Sequence, residues 1–200
     1  MLVAGVLAAC TDDSDSSSDQ PGEGGTVSEL LPGEPAEQVT RVRKVWGEWP
    51  AGDSAQTRSL EQATGKAVGA WLDGGFVAVD YPTRDFDEAF SAFTSGAAAE
   101  AQKESWLTTN RTLGGRLIDA VPVRRTVTVT AFAPSGSPVG ATADVNLVLR
   151  GVSESGRRSD LSVTGEVYLT RAGGKWQIFG YDLQRSVRAP GSRGSGGGGR

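Results

Sequence analysis

The chain has no histidine, and its one cysteine is Cys10. Without imidazole it lacks the commonest general base near neutral pH and the commonest transition-metal ligand. With a single thiol, no disulfide closes within the chain, and neither a cysteine metal cage nor a Cys–His nucleophile is available. No Ser-x-x-Lys nucleophile motif occurs. Past Cys10, no apolar run approaches the roughly 20 residues a membrane-spanning helix needs. These absences give the expectation of a protein that is not an enzyme and carries no cofactor and no metal.

Charge of one sign is missing at each end. Between Thr11 and Gln38 there are eight acidic residues and no Lys or Arg, whereas past Gln184 there are four arginines and no acid. Sixteen charges of each sign remain in the middle, out of 20 basic and 24 acidic residues in all. A near-neutral middle has no broad basic field, so nucleic acid is not expected as a partner.

Met1 to Ala9 carries no charged or polar side chain and ends in Leu7-Ala8-Ala9-Cys10. This resembles the bacterial lipoprotein box, in which small residues let a peptidase reach the bond before a diacylglyceryl-cysteine. Two acyl anchors hold a protein stably where one is marginal. The resemblance implies lipidation at Cys10 and a place on the outer face of the cytoplasmic membrane. Such segments usually open with positive charge. None precedes Cys10, so the coding start is expected upstream. The expected organisation is a signal segment over 1–10, a disordered acidic tether over 11–37, a domain over 38–184 and a Gly/Arg-rich tail over 185–200.

Within the domain, Val39, Val42, Trp46 and Trp49 fall at helical spacing before Pro50, which predicts a helical packing arm over Gln38–Trp49 with both tryptophans in the core. A second helix starts near Thr57, with Leu60, Ala67, Val68 and Trp71 near one face, and stops at Asp73-Gly74-Gly75. Phe76 to Tyr81 continues as an apolar segment to Pro82. Asp85 and Glu88 suit a capping box ahead of a stripe made by Phe86, Ala89, Phe90 and Phe93. After an interruption at Thr94-Ser95-Gly96, the alanine run at Ala97 starts a further helix to about Thr109.

Everything after Asn110 reads mainly as strands. Val121, Val123, Val127, Val129 and Ala131 alternate with threonines. Ala143 to Leu149, Val163 to Leu169 and Trp176 to Tyr181 follow the same pattern, between turns rich in Gly, Pro and Ser. Helices first and strands last predict an α+β fold whose sheet is antiparallel, with one face wet.

Two stretches carry a narrower resemblance: Asp85-Phe86 through Phe93-Thr94-Ser95-Gly96-Ala97, and Gly174-Lys175-Trp176-Gln177-Ile178-Phe179-Gly180-Tyr181-Asp182. With the helix-then-sheet order over Gln38 to Gln184, they resemble nuclear transport factor 2-like (cystatin-like) domains. More narrowly, they are similar to the mammalian-cell-entry-associated envelope proteins of high-GC Gram-positive bacteria. The resemblance implies a cone, with helices in the concave face of a curved antiparallel sheet of about four to six strands.

Three readings of function follow. The first is a non-catalytic module, accessory to an envelope transporter, that binds another envelope protein or an apolar small ligand. Trp71, Phe76, Tyr81 and Trp176 are the candidate cavity lining, weighed against ordinary core packing. The second is an accessory regulator of cell-wall synthesis enzymes. The third is an isomerase of the ketosteroid type, with Asp80 and Tyr81 facing Asp119 or Asp144, although no motif match carries a catalytic residue over. The pairs Arg124-Arg125 and Arg157-Arg158 read as solubilising charges at strand ends. The tail arginines read as weak contacts to anionic headgroups.

Overall fold

A computed structural model describes residues 34–49 and 54–189. Cys10, the tether and most of the tail lie outside the described residues. The elements are β1 (Val39–Gly47), α1 (Ser54–Leu72), α2 (Ser95–Lys103), α3 (Ser105–Thr108), α4 (Arg111–Gly114), β2 (Leu117–Ala133), β3 (Gly140–Ser153), β4 (Arg158–Ala172) and β5 (Lys175–Arg188). One five-stranded sheet runs in the order β1-β2-β3-β4-β5, and the helices pack on one of its faces. The fold is α+β, as expected. The sheet is mixed, because β1 pairs parallel to β2 while the other pairs are antiparallel.

β1 replaces the expected helical arm. The register slips between Val42 and Lys44, leaving Arg43 as an extra residue. Such a bulge resets the inward phase of a strand. Thr40, Val42 and Val45 are the half-buried positions of β1, so of the four residues whose spacing predicted a helix only Val42 turns inward within the strand. The expectation for the tryptophans is corrected with it: Trp46 points out of the sheet and is 54% exposed, and Trp49 is half-buried.

A bulge also shifts the phase of β2. Its register slips between Pro122 and Arg124, which puts Val123 out of the alternation and exposes it. Downstream, Val127, Val129 and Ala131 are buried as predicted. In β4, Gly165 has φ +132, and a Cβ there would lie 2.2 Å from the carbonyl oxygen of Asp182. Only glycine lets β4 and β5 approach so closely at this bend.

The helical layer departs from prediction in its details. After Leu72 the chain does not stop at the glycines but continues as a π-helical turn over Asp73–Val77, burying Gly75 and Phe76. The stripe at Phe86–Phe93 is a 3-10 helix, Asp87–Ala92, with no side-chain bond from its N-cap residue, Phe86, in place of the expected capping box. Asp85 instead accepts the Asp87 N–H at 3.2 Å. The alanine-run helix breaks at Glu104 into α2 and α3.

Both sheet edges are occupied. The Val42 N–H at the β1 edge donates to Glu61 of α1 at 2.8 Å. At the other edge, the Thr94 N–H donates to the carbonyl of Ile178 at 2.8 Å, and Phe93 bridges to Ile178.

Candidate interaction surface

The concave side of the sheet is filled. Trp71, Leu72 and Phe76 are fully buried against Val129, Leu147, Val163 and Leu169. Trp71 meets Phe76 and Phe93 edge-to-face at 6.0 and 6.3 Å, and its indole N–H donates to the carbonyl of Thr108 at 2.8 Å. An indole buried with its one donor satisfied is a structural anchor. Tyr81 donates its hydroxyl to the carbonyl of Phe76 at 2.7 Å and accepts from Asn110 Nδ2 at 2.9 Å. Desolvation pushes its phenol up to about 12, and the Asp119 charge adds to the rise against the lowering effect of the Asn110 bond.

Of the four candidate lining residues, Trp71 and Phe76 thus sit together in the core with Tyr81 packed at its margin. Trp176 also packs against the core margin, and it borders a cleft of about 290 Å³ with Trp49, Leu60, Pro138 and Arg171. The carboxylates imagined opposite Tyr81 are dispersed: Asp80 is exposed, and Asp144 projects from the other face of the sheet. Asp119 alone is near enough to act on the phenol electrostatically.

Arg125 corrects the reading of its pair as a soluble edge. Its side chain is only 10% exposed, and it bonds Asp73 at 2.7 Å, Gln38 at 3.1 Å and the carbonyl of Gly69 at 3.2 Å. These groups border a cleft of about 770 Å³ between α1 and β1. Arg124, by contrast, is exposed, as are Arg157 and Arg158.

The outer face of the sheet carries what the interior does not use. Strand register places its outward residues in rows across the five strands. At one end, Trp46 of β1 lies beside Phe132 of β2, with exposures of 54% and 52%. Tyr168 of β4 meets, in a tilted ring contact at 6.2 Å, Phe179, the bulge residue of β5, which is 54% exposed. Exposed aromatic side chains grouped on one face are unusual in a chain that stays alone.

The next row holds charge. Arg41, Thr128, Asp144, Glu166 and Asp182 are successive register partners from β1 to β5. Three carboxylates therefore lie directly opposite one another on β3, β4 and β5, an arrangement that destabilises a sheet taken alone. On β1, Arg41, Arg43 and Lys44 carry the opposite sign. Arg43 reaches Asp144 at 3.9 Å, and the Lys44 ammonium stands 3.3 Å over the Trp46 ring. Among the described residues, Arg41, Glu166 and Asp182 make no ion pair. The Tyr168 hydroxyl donates to Glu166 at 3.2 Å.

The sequence showed the alternation that makes this face but not its content. Trp46 was hidden by the false helical period, and the carboxylate row exists only through register.

No protein-family model matches the chain, and no curated protein matches it. Among solved structures, it is similar to a protein from Novosphingobium aromaticivorans provisionally named an aromatic ring hydroxylase, with a TM-score of 0.44 and 15% identity over 64% of this chain and 92% of that one. A likeness of this size says nothing about activity.

Proposed function

We propose that this chain is a non-catalytic protein-interaction module, held at the outer surface of the cytoplasmic membrane by acylated Cys10, and that it joins an envelope protein assembly through the outer face of its sheet. One observation carries the reading: the concave side is filled by Trp71, Leu72 and Phe76, while Trp46, Phe132 and Phe179 stand in solvent on the opposite face. Aromatic side chains are the usual anchors of protein interfaces. The assembly is that of an envelope transporter or of cell-wall synthesis, and the outer face is where this chain meets another protein chain within it. A small apolar ligand among the four aromatic side chains is the weaker reading, because Trp71, Phe76 and Tyr81 are packed on one another or bonded to the backbone.

The test is a photo-crosslinking residue placed at Phe132 in the native membrane, with Trp106 as the control. Trp106 is 57% exposed on α3, in the helical layer rather than on the outer sheet face. The expected result is protein adducts at 132 and none at 106. Equal labelling at both positions, or none at 132, would overturn the reading. Cys10→Ser is expected to move the chain to the soluble fraction, and continued membrane retention would count against the anchor.

A further inference from the structure

We infer that the occupant of the outer sheet face is a second copy of this chain, packed face to face about a two-fold axis that lies in the interface and runs along the strands near β3. This rests on the reading of that face as a protein contact and adds the partner and its register.

The two sides of this face are complementary in charge. On this face β1 carries Arg41, Arg43 and Lys44, and the far strands carry Glu166 and Asp182. A two-fold contact is self-complementary only if each patch meets its opposite on the partner. An axis along the strands at β3 keeps each row at its own height and exchanges left for right. It sets β1 of one copy over β5 of the other. Arg41 then stands over Asp182 of the second copy, and Thr128 over its Glu166. The symmetry repeats both contacts on the other side of the axis. An axis across the strands would instead set β1 on β1, basic on basic.

Four further features fit. Asp182, which makes no ion pair within the described chain, is answered by Arg41 of the second copy, while the two Asp144 side chains meet at the axis, each with Arg43 of its own chain at 3.9 Å. At the aromatic end, Phe132 of one copy faces the β4–β5 side of the other, where Tyr168 and Phe179 meet. Five strands at about 4.8 Å and four rows at about 6.7 Å make a face of roughly 24 by 27 Å, comparable to the roughly 800 Å² per partner of a standard interface. The same axis also leaves both chains entering β1 from one end, so two acylated N-termini would reach a single bilayer.

The test uses the full chain purified as Cys10→Ser, studied by sedimentation equilibrium. A dimer is expected that weakens with added salt. In that background, Arg41→Glu and Asp182→Lys each reverse an exposed charge at two symmetric contacts. Each alone is expected to weaken self-association at least about tenfold. Mixed together, the two variants restore both contacts. On one side the new carboxylate at position 41 meets the new ammonium at position 182, on the other Arg41 meets Asp182, and a heterodimer should form. A chain with its native charges that stays monomeric, single variants that still dimerise, or a mixture that fails to associate would each overturn the inference. A monomeric chain that still crosslinks to a different protein at position 132 would sink the second copy and leave the interaction face standing. Absence of any adduct at 132 would sink both.

Discussion

Arg125 of β2 holds Asp73, one residue past the end of α1, with its guanidinium Nη1 2.7 Å from the carboxylate. The same guanidinium bonds Gly69 in the last turn of α1 and Gln38 before β1, and Gln38 in turn donates to the carbonyl of Gly65 at 2.8 Å. One buried cation thus fastens the helix to the first two strands. Removing it strands several acceptors at once. Arg125→Met is expected to lower unfolding free energy by about 2 kcal/mol, measured by urea denaturation. Asp73→Asn should cost less, because that carboxylate is 44% exposed and screened by water. Arg125→Lys should not rescue the loss, since an ammonium cannot span three acceptors in a fork.

Trp71 offers a test of the filled interior. Trp71→Ala should cost about 3–5 kcal/mol and leave an apolar void that takes up benzene or xenon. Binding of either probe to the wild-type chain at the same site would show that the interior is already hollow.

All three tyrosines, Tyr81, Tyr168 and Tyr181, have phenols pushed upward. Partial desolvation acts first in each. Glu166 and Asp182 add to it at Tyr168, and Glu104, which accepts from the Tyr181 hydroxyl at 2.9 Å, adds to it at Tyr181. For Tyr81, raised from 10.0 to about 12, the folded state holds its proton more tightly than the unfolded chain. Its contribution to stability is therefore whole below pH 10 and falls as pH climbs toward 12. Absorbance titration near 295 nm should show little ionisation at pH 10 in the folded protein. Tyr81→Phe should flatten the loss of stability above pH 10. An unchanged slope would contradict this assignment.

Gly165→Ala should destabilise by about 2 kcal/mol or more, through a strained backbone and a clash with the carbonyl of Asp182. Thermal unfolding would measure it. Because the bend also sets the spacing of Glu166 and Asp182, the variant should lose self-association beyond what its lower stability explains.

How far the sequence could be read depended on where its local period was interrupted. β3 and β4 were legible because their alternation runs unbroken from Ala143 to Leu149, and because Val163, Val167 and Leu169 keep phase through Gly165. β1 was not, since the bulge at Arg43 breaks its alternation and the exposed Val39 and Trp46 happen to fall at helical spacing with Val42. Its three valines and one threonine within nine residues were the overlooked strand signal. The role of Arg125 depends on partners 52, 56 and 87 residues away, which no local pattern records. The outer sheet face lay between these cases: its outward positions could be counted, but its carboxylate row required knowing which strands are neighbours.

A sheet with open margins invites another chain to extend it, and the result is fibrous growth without limit. Here the Glu61 carboxylate takes up the backbone donor of Val42, and the Thr94 amide takes up the Ile178 acceptor on the opposite margin. A newcomer seeking to continue the ladder at either point must first displace a bond already made. Lateral polymerisation is thereby discouraged, which leaves the face-to-face pairing proposed above as an association that closes on itself.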